Sequence, residues 1–536
     1  MTFSNKLVIY NAKIHTLDPS KASATALAID CGQILAIGLD DEIRSAFGLS
    51  RAINANGQTI IPGLTDAHIH LQDYAFSQEK INCETPTQAE CLQRVAARAN
   101  TAHPGAWVMG HGWNQNIWPE GYGTALQIDQ VSTQNPVYLT HKSMHSAWVN
   151  SLALQLAGID RNTLDPAGGR IGHLENGEPD GILYESAANL VESIIPEPSL
   201  DQVVQTFRKT LPRLCKMGLT GIHDFDRSHC FSALQVLHQE GELKLRVVKG
   251  IPFENLADAI AMGLRTGFGD VMLRSGPVKL FVDGALGPHT AAMILPYQDE
   301  AQNSGILNLE AGELLEIGRR AVANGISLAV HAIGDRANRE VLNAYEQLRQ
   351  FEKTLPSHPS LFHRHRIEHV QVLHPDDIQR FSELDIIASM QPIHATSDML
   401  MADHYWGKRS VYAYAWHSLI SQGTTLIFGS DAPVESPNPF WGIHAAVTRR
   451  RADGSPTAEG WYPEQRIDVL KAIQAYTVGP AYASGMENQL GRLAPGYLAD
   501  LVITDQDPFS CPPEELMNIH PVATMVAGEW LYSALE

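Results

Sequence analysis

The chain has 536 residues, which is long enough to bury a large core in two or more domains. Its formal net charge of −20, from 59 acidic and 39 basic side chains, disfavours nucleic acid and anionic membranes as partners. The six cysteines are scattered without a Cys-x-x-Cys pair, which argues against a disulfide framework or a thiolate zinc site. The start, MTFSNKLVIY, lacks the apolar run of a signal peptide and no stretch approaches a membrane span, so we expect a cytoplasmic protein.

Short β-strands are predicted at both ends of the chain. Polar or glycine-containing breaks separate the N-terminal runs, and two runs near the C terminus have the same short-strand pattern. We therefore predict one β-sandwich domain built from residues 1–58 and 485–536, with strands in the runs 7–14, 26–29, 33–38, 498–503 and 522–531.

Between these ends, apolar and β-branched runs that end in polar residues recur, and most of them are separated by helix-like patterns. The eight runs are 59–70, 218–226, 243–251, 278–284, 326–334, 366–371, 385–392 and 425–433. Eight strands alternating with helices predict an α/β fold, a TIM (β/α)8 barrel over residues 59–484. The first gap is too long for one helix, so we predict an insertion at 72–205 that leaves the end of strand one and covers the active site.

The motif TDAHIHL places His68 and His70 at the end of the first predicted barrel strand. Two histidines separated by one residue share a strand face, so both imidazoles can reach one metal ion. The spacing alone is not specific, because a second pair occurs at His363 and His365. The position of the first pair at a strand end favours a metal site, since barrel enzymes carry their ligands there.

The last residues of the other predicted strands supply further candidates. They are His223, Asp224, Lys279, Asp283, His331, His369 and Asp431. A lone histidine between apolar neighbours is more often a hydrogen-bonded core residue than a ligand. Four histidines and an aspartate at one barrel end favour a shared metal site instead.

Two of these residues have alternative interpretations. A buried Lys279 beside cations should have a lowered pKa, and the neutral amine can react with CO2 to form a carbamate that bridges two metals. The alternative is a lysine paired with Asp283 or Glu368. Asp431 is either a metal-site carboxylate or a cap of the following helix.

Taken together, the motifs resemble the amidohydrolase superfamily, in particular its YtcJ-like branch, amidohydrolase family 3, which includes N-substituted formamide deformylases. They run in order along nearly the whole chain: PGLTDAHIH from Pro62, HSAWVNSLAL from His145, KLFVDGALG from Lys279, HAIGDRA from His331, RIEH from Arg366, SMQPIHA from Ser389, GSDAPV from Gly429 and GRLAPGYLADLV from Gly491. The resemblance implies a β-sandwich with a barrel, hydrolysis, and one or two divalent metal ions, usually zinc. The residues that match the metal-site positions are His68, His70, Lys279, His331, His369 and Asp431.

One motif departs from the branch. Where relatives commonly have Gly-Ser-Arg-Thr-Ala after the lysine strand, this chain has GPHTA at 287–291. Because histidine lacks the planar fork of arginine, His289 is a doubtful carboxylate binder, although it stays a candidate for substrate binding together with Gln391.

The leading functional hypothesis is a metal-dependent hydrolase of a non-peptide C–N bond, of amide or N-formyl type. We expect a metal-activated hydroxide as nucleophile and Asp431 as general base, with Asp224, Asp283 and Asp335 as rivals for that role. Hydrolysis of an ester, lactone or phosphoester, or deamination, could use the same site. A catalytically silent scaffold is disfavoured because no ligand position is missing.

The expected partner is a small-molecule substrate, and the sequence leaves a homodimer open. Within the insertion, Trp113 and His145 are the best candidates for contacting substrate, since tryptophan buries apolar surface and histidine can donate to a carbonyl. The alternative is that both side chains pack inside the insertion.

Overall fold

The structure is a computed structural model. It describes residues 6–48, 51–115, 117–142, 146–166, 168–356 and 363–535. The chain divides into two compact units, one formed by Met1–Asp73 with Val203–Glu536 and the other by Tyr74–Gln202. Each unit is described by itself below.

The strands of the described residues, in chain order, are β1 Leu7–Tyr10, β2 Lys13–His15, β3 Ser23–Ala24, β4 Ala26–Asp30, β5 Gln33–Gly38, β6 Ala52–Asn54, β7 Thr59–Pro62, β8 Leu64–Ile69, β9 Ile81–Asn82, β10 Val108–Trp113, β11 Val137–His141, β12 Ser146–Val149, β13 Gly169–His173, β14 Pro179–Glu185, β15 Leu219–Asp224, β16 Arg246–Pro252, β17 Leu273–Phe281, β18 Leu328–Ala332, β19 Arg366–His369, β20 Ile387–Met390, β21 Leu426–Phe428, β22 Leu501–Thr504, β23 Pro521–Val526 and β24 Glu529–Ser533.

The α-helices of the same ranges are α1 Asp40–Phe47, α2 Leu71–Ser77, α3 Gln88–Ala99, α4 Ala125–Asp129, α5 Ser151–Leu156, α6 Asn189–Glu192, α7 Leu200–Lys216, α8 Ser228–Gln239, α9 Leu256–Ala261, α10 Ala311–Ala323, α11 Asp335–Glu352, α12 Ile378–Glu383, α13 Pro392–Trp406, α14 Trp416–Ser421, α15 Pro439–Thr448, α16 Val469–Ala475 and α17 Val478–Ala483. Where the structure is described, no helix combines the length and the apolar character needed to cross a membrane.

An eight-stranded parallel sheet forms the centre of the larger unit. Its order is β21-β20-β19-β18-β17-β16-β15-β8, so the strands follow one another along the chain. A parallel bridge between Ile69 and Ala432 brings the region after the last strand back to the first and nearly closes the sheet. Strands such as β15 and β19 are buried along their whole length, as expected for a parallel sheet covered on both faces. This arrangement fits the predicted TIM barrel.

The first predicted barrel strand, 59–70, is wrong in its extent, because two strands of different sheets share it. β7 pairs with β2 and β22 outside the barrel, whereas β8 pairs with β15 inside it. Gly63 separates the two strands at a point where an added Cβ would collide with the side chain of Thr220. A close approach that only glycine allows therefore ends one sheet and starts the other.

The two remaining sheets of the larger unit have the orders β5-β4-β1-β6 and β24-β23-β22-β7-β2-β3. The second sheet combines strands from both ends of the chain. One buried cluster joins the two sheets, with Ile9 from the first and Ile14, Ile60, Leu501 and Met525 from the second. Burial of these aliphatic side chains holds the chain ends together.

The smaller unit, Tyr74–Gln202, contains a six-stranded sheet of order β13-β14-β12-β11-β10-β9. Its central pairs are mixed, because β10 and β11 run parallel while β12 pairs antiparallel with both β11 and β14. Tryptophans 113, 118 and 148 are buried together in one of its core clusters.

Candidate metal centre

The C-terminal end of the barrel brings the first histidine pair and Asp431 together. The Nε2 atoms of His68 and His70 each lie 3.4 Å from Asp431 Oδ1. Asp66 aligns this part of the site, because its Oδ1 accepts the backbone N–H groups of His68 (3.1 Å) and Ser430 (3.0 Å). One buried carboxylate thus ties the end of the first strand to the segment after the last one.

The Nδ1 atoms of the same two histidines are held by separate carboxylates. His68 Nδ1 donates to Glu368 Oε2 at 2.6 Å, and His70 Nδ1 donates to Asp226 Oδ1 at 3.2 Å. Second partners of this kind fix the orientation and tautomer of metal-ligating imidazoles. Both rings are therefore oriented with Nε2 available for an ion beside Asp431.

Glu368 is itself held in the ionised form. Burial opposes its ionisation, but the guanidinium of Arg366 and the ring of His68 keep the pKa of this carboxyl well below its usual range. Arg366 Nη2 lies 2.9 Å from Glu368 Oε2 and also donates to Ser389 Oγ at 2.7 Å. Strand β19 therefore carries a charged partner for the ring of His68.

His369 and His331 occupy the neighbouring strand ends, with ring centroids 4.5 Å apart. His369 Nδ1 donates to Gln391 Oε1 at 2.9 Å, so its ring is oriented like those of the first pair. His331 is held through its other nitrogen, because its Nε2 donates to the carbonyl oxygen of Gly284 at 2.9 Å. Burial, together with the nearby Lys279, lowers the pKa of His331 to about 3, which leaves its ring neutral.

Lys279 is buried between Phe225 and Phe281, with Nζ 4.9 Å from each ring centroid and 3.3 Å from His68 Nε2. In the described part of the chain it forms no ion pair with Asp283 or Glu368, the two partners that the alternative interpretation required. Burial lowers the pKa of Lys279 to about 8, so a neutral amine is accessible near physiological pH.

Asp431 does not cap the helix that follows strand β21. That helix, α15, begins at Pro439, and the side chain of Asn438 accepts the N–H of Phe440 as its cap. Burial opposes ionisation of Asp431, but the hydrogen bond from His70 and the neighbouring histidine rings hold its pKa well below the usual range. Its backbone lies in the left-handed region with φ 59°, as does that of His369 with φ 75°. Such backbone strain concentrates at functional sites.

The rival carboxylates are committed to structural hydrogen bonds. Asp224 lies 3.0 Å from Lys249 Nζ and accepts the N–H of Leu71. Asp283 accepts three backbone N–H groups at 2.8 to 3.0 Å, and Asp335 accepts the N–H of Ile294 at 2.8 Å.

Sequence reasoning missed His394 as a site residue. Its side chain is 8% exposed, and its Nε2 lies 4.0 Å from Asp431 Oδ2. It stands in the first turn of α13, the helix that follows strand β20, so the signal was a histidine just beyond a barrel strand end. Asp226 and Glu368 were also missed as partners of the histidine pair. Asp226 lies two residues beyond β15, and Glu368 lies next to His369.

The predicted substrate contacts have mixed positions. Gln391 is fully buried, and its side-chain oxygen accepts the hydrogen bond from His369 Nδ1. Its amide nitrogen has no hydrogen-bond partner within the described ranges. His289 Nδ1 donates to Glu300 Oε1 at 2.6 Å, and Nε2 lies 3.7 Å from Asp299 Oδ2. Two carboxylates beside His289 disfavour the binding of a substrate carboxylate there. Contact of either residue with substrate stays a prediction.

The two substrate-contact candidates of the insertion, Trp113 and His145, have different outcomes. Trp113 is fully buried in the core of the smaller unit, and its indole N–H donates to the carbonyl oxygen of Leu139 at 2.8 Å. This packing favours the structural alternative for Trp113, since its polar atom and its apolar surface both have partners inside the insertion. His145 lies outside the described residues.

The donor atoms at the barrel end fit a divalent metal ion. Those of His68, His70 and Asp431 lie within 4.8 Å of one another, and so do those of His369, His394 and Asp431. Imidazole nitrogens and carboxylate oxygens are donors that suit zinc and similar ions. Carboxylates raise the pKa of His70 to about 10 against the effect of burial, so its surroundings favour a cation.

Comparisons with known proteins agree with this geometry. Residues 51–532 match the model of the amidohydrolase family. The putative amidohydrolase YtcJ of Bacillus subtilis (strain 168) is 31% identical, over 98% of this chain and 99% of its own length. The N-substituted formamide deformylase of Arthrobacter pascens is 28% identical over 99% of both chains. A crystal structure of an uncharacterized metal-dependent hydrolase from Pyrococcus horikoshii OT3 has 25% identity and a TM-score of 0.80, with coverage of 95% of this chain and 99% of that one.

Proposed function

The chain belongs to the amidohydrolase family and is a metal-dependent hydrolase, and from this premise we propose that it cleaves an amide or N-formyl C–N bond of a small molecule. The resemblance predicted from the motifs is thereby confirmed at the level of the family. The observation that carries the proposal is the convergence of His68 Nε2 and His70 Nε2 on one oxygen of Asp431. The name of the Arthrobacter relative supports the N-formyl group as the bond type.

We propose zinc as the resident ion, because the donors of the site are imidazole nitrogens and a carboxylate. When bound, such an ion supplies Lewis-acid polarisation of the scissile carbonyl group and makes water a stronger acid. His68 and His70 would hold it, with Glu368 and Asp226 fixing their rings.

Asp431 is the proposed proton carrier. Its low pKa keeps it ionised, so it can accept a proton from the attacking water as the water oxygen bonds to the carbonyl carbon. The C–N bond then breaks, and the same carboxyl delivers the proton to the departing amine nitrogen. Support for this role comes from the rival carboxylates, which are occupied by Lys249 or by backbone N–H groups.

The proposal includes a carbamate on Lys279. The neutral amine adds CO2 and releases a proton, which replaces a cation by an anion at a buried position 3.3 Å from His68 Nε2. The lowered pKa of Lys279 and its lack of an ion pair with Asp283 or Glu368 in the described chain support this. A mass 44 Da above that of the unmodified chain is the expected signature of CO2 addition, and it should disappear after acidification, about one CO2 per chain.

A substrate panel tests the reaction type. We expect the zinc-loaded protein to release formate and amine in equal amounts from N-substituted formamides, and to act more slowly on matched esters and phosphoesters. The same protein stripped with a chelator is the control and should be inactive until zinc is restored. Turnover of esters or phosphoesters alone would refute the proposed bond type, and release of ammonia from an aminated ring would establish deamination instead.

A further inference from the structure

Strand β16 carries two buried basic side chains, Arg246 and Lys249, with different surroundings. Arg246 lies at the start of the strand and pairs with Asp500, with 2.6 Å between Arg246 Nε and Asp500 Oδ2. Lys249 follows further along the same strand with 3% of its side chain exposed, and its Nζ lies 3.0 Å from Asp224 Oδ2. A buried charge is costly unless it is paired and hydrogen-bonded, so the partners of Lys249 indicate what it holds in place.

The ammonium group of Lys249 binds the segment that follows β15. Besides the carboxylate of Asp224, it donates to the backbone carbonyl oxygen of Asp226 and to that of Gly250, the latter at 3.0 Å. Its three N–H groups therefore have three acceptors. Burial opposes the charge of Lys249, but the carboxylates of Asp224 and Asp226 raise its pKa above the ordinary value. The lysine is thus a fixed internal cation.

Asp224 connects this cation to the segment of the first histidine pair. Its Oδ1 accepts the backbone N–H of Leu71, the residue directly after His70, at 2.8 Å. Its Oδ2 accepts the backbone N–H of Asp226 at 3.2 Å. One carboxylate that is held by Lys249 therefore fixes both the backbone beyond His70 and the backbone of Asp226.

Asp226 completes the connection to the metal centre. Its Oδ1 accepts the hydrogen bond from His70 Nδ1 at 3.2 Å, and its Oδ2 accepts the backbone N–H of Gln72. The backbone of Asp226 is in turn bonded to Lys249 and to Asp224, which limits how far its carboxylate can move from the ring. The orientation of His70 therefore depends on a cation that lies on β16, two strands from β8 in the barrel sheet.

The donors around Lys249 resemble a metal site of their own. Those of Asp224, Asp226 and Cys230 lie within 4.8 Å of one another. The ammonium of Lys249 argues against an ion there, because it already lies on Asp224 Oδ2, the oxygen that also accepts the Cys230 thiol at 3.3 Å. A second cation beside it would be repelled. The cluster therefore suits a support of the metal centre better than an additional ion site.

We propose that Lys249 is a positioning residue of the metal centre, which acts through Asp224 and Asp226 to hold the imidazole of His70 in its metal-binding orientation. The inference rests on the proposed function in one respect, the assignment of His70 as a metal ligand. The group on the second nitrogen of a ligating imidazole sets its tautomer and orientation, so whatever fixes that group affects metal affinity. Asp224, predicted from the sequence as a rival base, has a supporting role in this arrangement.

Zinc affinity of the full-length chain tests the proposal, with Zn²⁺ alone as the probe. Lys249→Met keeps the length of the side chain and removes its charge and its N–H donors. We expect this variant to bind zinc about 10–100-fold more weakly than the wild type, the usual effect of losing a supporting partner. Competition with a chelating dye measures the affinity, and calorimetric scans of the zinc-free proteins measure Tm in parallel.

Arg246→Met is the matched control, because it removes a buried basic side chain from the same strand. Arg246 binds both carboxylate oxygens of Asp500, at 2.6 and 2.8 Å, near the start of β16 and away from the C-terminal barrel end. This variant should also lose thermal stability, yet keep wild-type zinc affinity and kcat/KM. Equal weakening of zinc binding in the two variants would overturn the proposal, since it would indicate a general loss of stability.

A double-mutant cycle tests the route of the effect. If Lys249 acts through Asp226, Lys249→Met/Asp226→Asn should bind zinc as weakly as Asp226→Asn alone, within about twofold. Losses that multiply would overturn the route. If Lys249→Met does not fold, as judged by circular dichroism, Lys249→Met/Asp224→Asn removes both buried charges and should show the same weakening of zinc binding in a folded protein.

His70→Ala separates failure of this inference from failure of the proposed function. It should lose tight zinc binding. Wild-type zinc affinity in the folded Lys249 variants, together with loss of zinc in His70→Ala, would overturn the inference and leave the metal centre intact. Wild-type zinc affinity in His70→Ala would refute the ligand assignment and the inference with it.

Discussion

Two His-x-His pairs lie at opposite ends of the same barrel and are used differently. His68 and His70 lie at the C-terminal end of β8, whereas His363 and His365 come just before β19 begins. In the first pair each ring has its own carboxylate on Nδ1, and both Nε2 atoms face Asp431. The two Nε2 atoms of the first pair therefore converge on one carboxylate oxygen, and Lys279 Nζ lies 3.3 Å from that of His68.

The second pair shares a single acceptor. His363 Nδ1 lies 2.8 Å and His365 Nε2 3.0 Å from the same oxygen, Oε1 of Glu352. The remaining ring nitrogen of His365 accepts the backbone N–H of Leu328 at 3.1 Å. The two rings stack at 14°, with centroids 5.8 Å apart. Both nitrogens of His365 are therefore bonded to protein, whereas His363 uses only Nδ1, and the pair joins α11 to the start of two strands.

The difference shows that the spacing of the two histidines does not decide their chemistry. What decides it is the strand end at which they lie and whether each ring has a separate partner for Nδ1. His365, whose two nitrogens are both bonded to protein, has nothing left for an ion, and the two rings of its pair share one oxygen of Glu352. The following predictions use the second pair as an internal control for the first.

The largest effect is expected from removal of the first pair. The double variant His68→Ala/His70→Ala should lose tight zinc binding and all measurable hydrolysis, because only Asp431 of the first donor group remains. His363→Ala/His365→Ala should keep its zinc and lose stability instead. Elemental analysis and an activity assay on both proteins make the comparison, and zinc retained by the first variant would refute the assignment of the pair.

Asp431→Asn should give the next largest effect. The amide keeps the size of the side chain but cannot carry a proton, so kcat should fall by about two to four orders of magnitude while the fold is retained. Steady-state kinetics at fixed zinc concentration measure the loss. If turnover is unchanged and Asp224→Asn or Asp335→Asn is inactive, the base belongs to another strand.

A smaller effect is expected from the carboxylates that orient the rings. Glu368→Gln should weaken zinc binding by about 10–100-fold, because the amide is a poorer acceptor for His68 Nδ1. Glu352→Gln, the equivalent change at the second pair, should leave zinc affinity unchanged. Competition with a chelating dye measures both, and equal effects of the two changes would mean that Glu368 acts through general stability.

The smallest effect concerns pH and the second pair. Burial lowers the pKa of His365 to about 4 from its ordinary 6.5, so the unfolded chain binds this proton at a higher pH than the folded chain does. The associated stability is fully present above pH 6.5 and is lost as the pH falls from 6.5 towards 4. Between pH 7 and pH 5 this amounts to about 2 kcal/mol, or roughly 1–2 °C in Tm for a chain of this size.

Replacement of His365 isolates that contribution. His365→Asn should be less stable than the wild type at pH 7, yet its Tm should fall less between pH 7 and pH 5. Calorimetric scans of both proteins at the two pH values provide the comparison. Parallel falls in Tm would show that His365 is not the source of the acid sensitivity.

The sequence was most informative where chemistry depends on local order. Apolar runs with polar ends located the eight barrel strands, because a parallel sheet buried on both faces requires continuous apolar segments. The same reasoning predicted one strand at 59–70 where the structure has two, since β7 and β8 are both apolar. They are separated at Gly63, where a larger residue would collide with Thr220. Periodicity cannot detect a contact with a residue as distant as Thr220.

The site was predicted in the same uneven way. His68, His70 and Asp431 could be found because each ends a strand or follows one. The partners Glu368, Asp226 and His394 could not be assigned, since a hydrogen bond across the barrel depends on side-chain direction rather than on spacing. Gln391 illustrates this. The sequence suggested a substrate contact, and in the structure its side-chain oxygen accepts a hydrogen bond from His369 Nδ1.

An anomalous diffraction map recorded at the zinc edge tests the central claim most directly, because it locates every bound ion in the metal-loaded protein. The account predicts a peak within about 2.0–2.2 Å of the Nε2 atoms of His68 and His70 and of the Asp431 carboxylate. It predicts no peak at His363 and His365. A map with no peak at the first pair, or with a peak at the second, would contradict it.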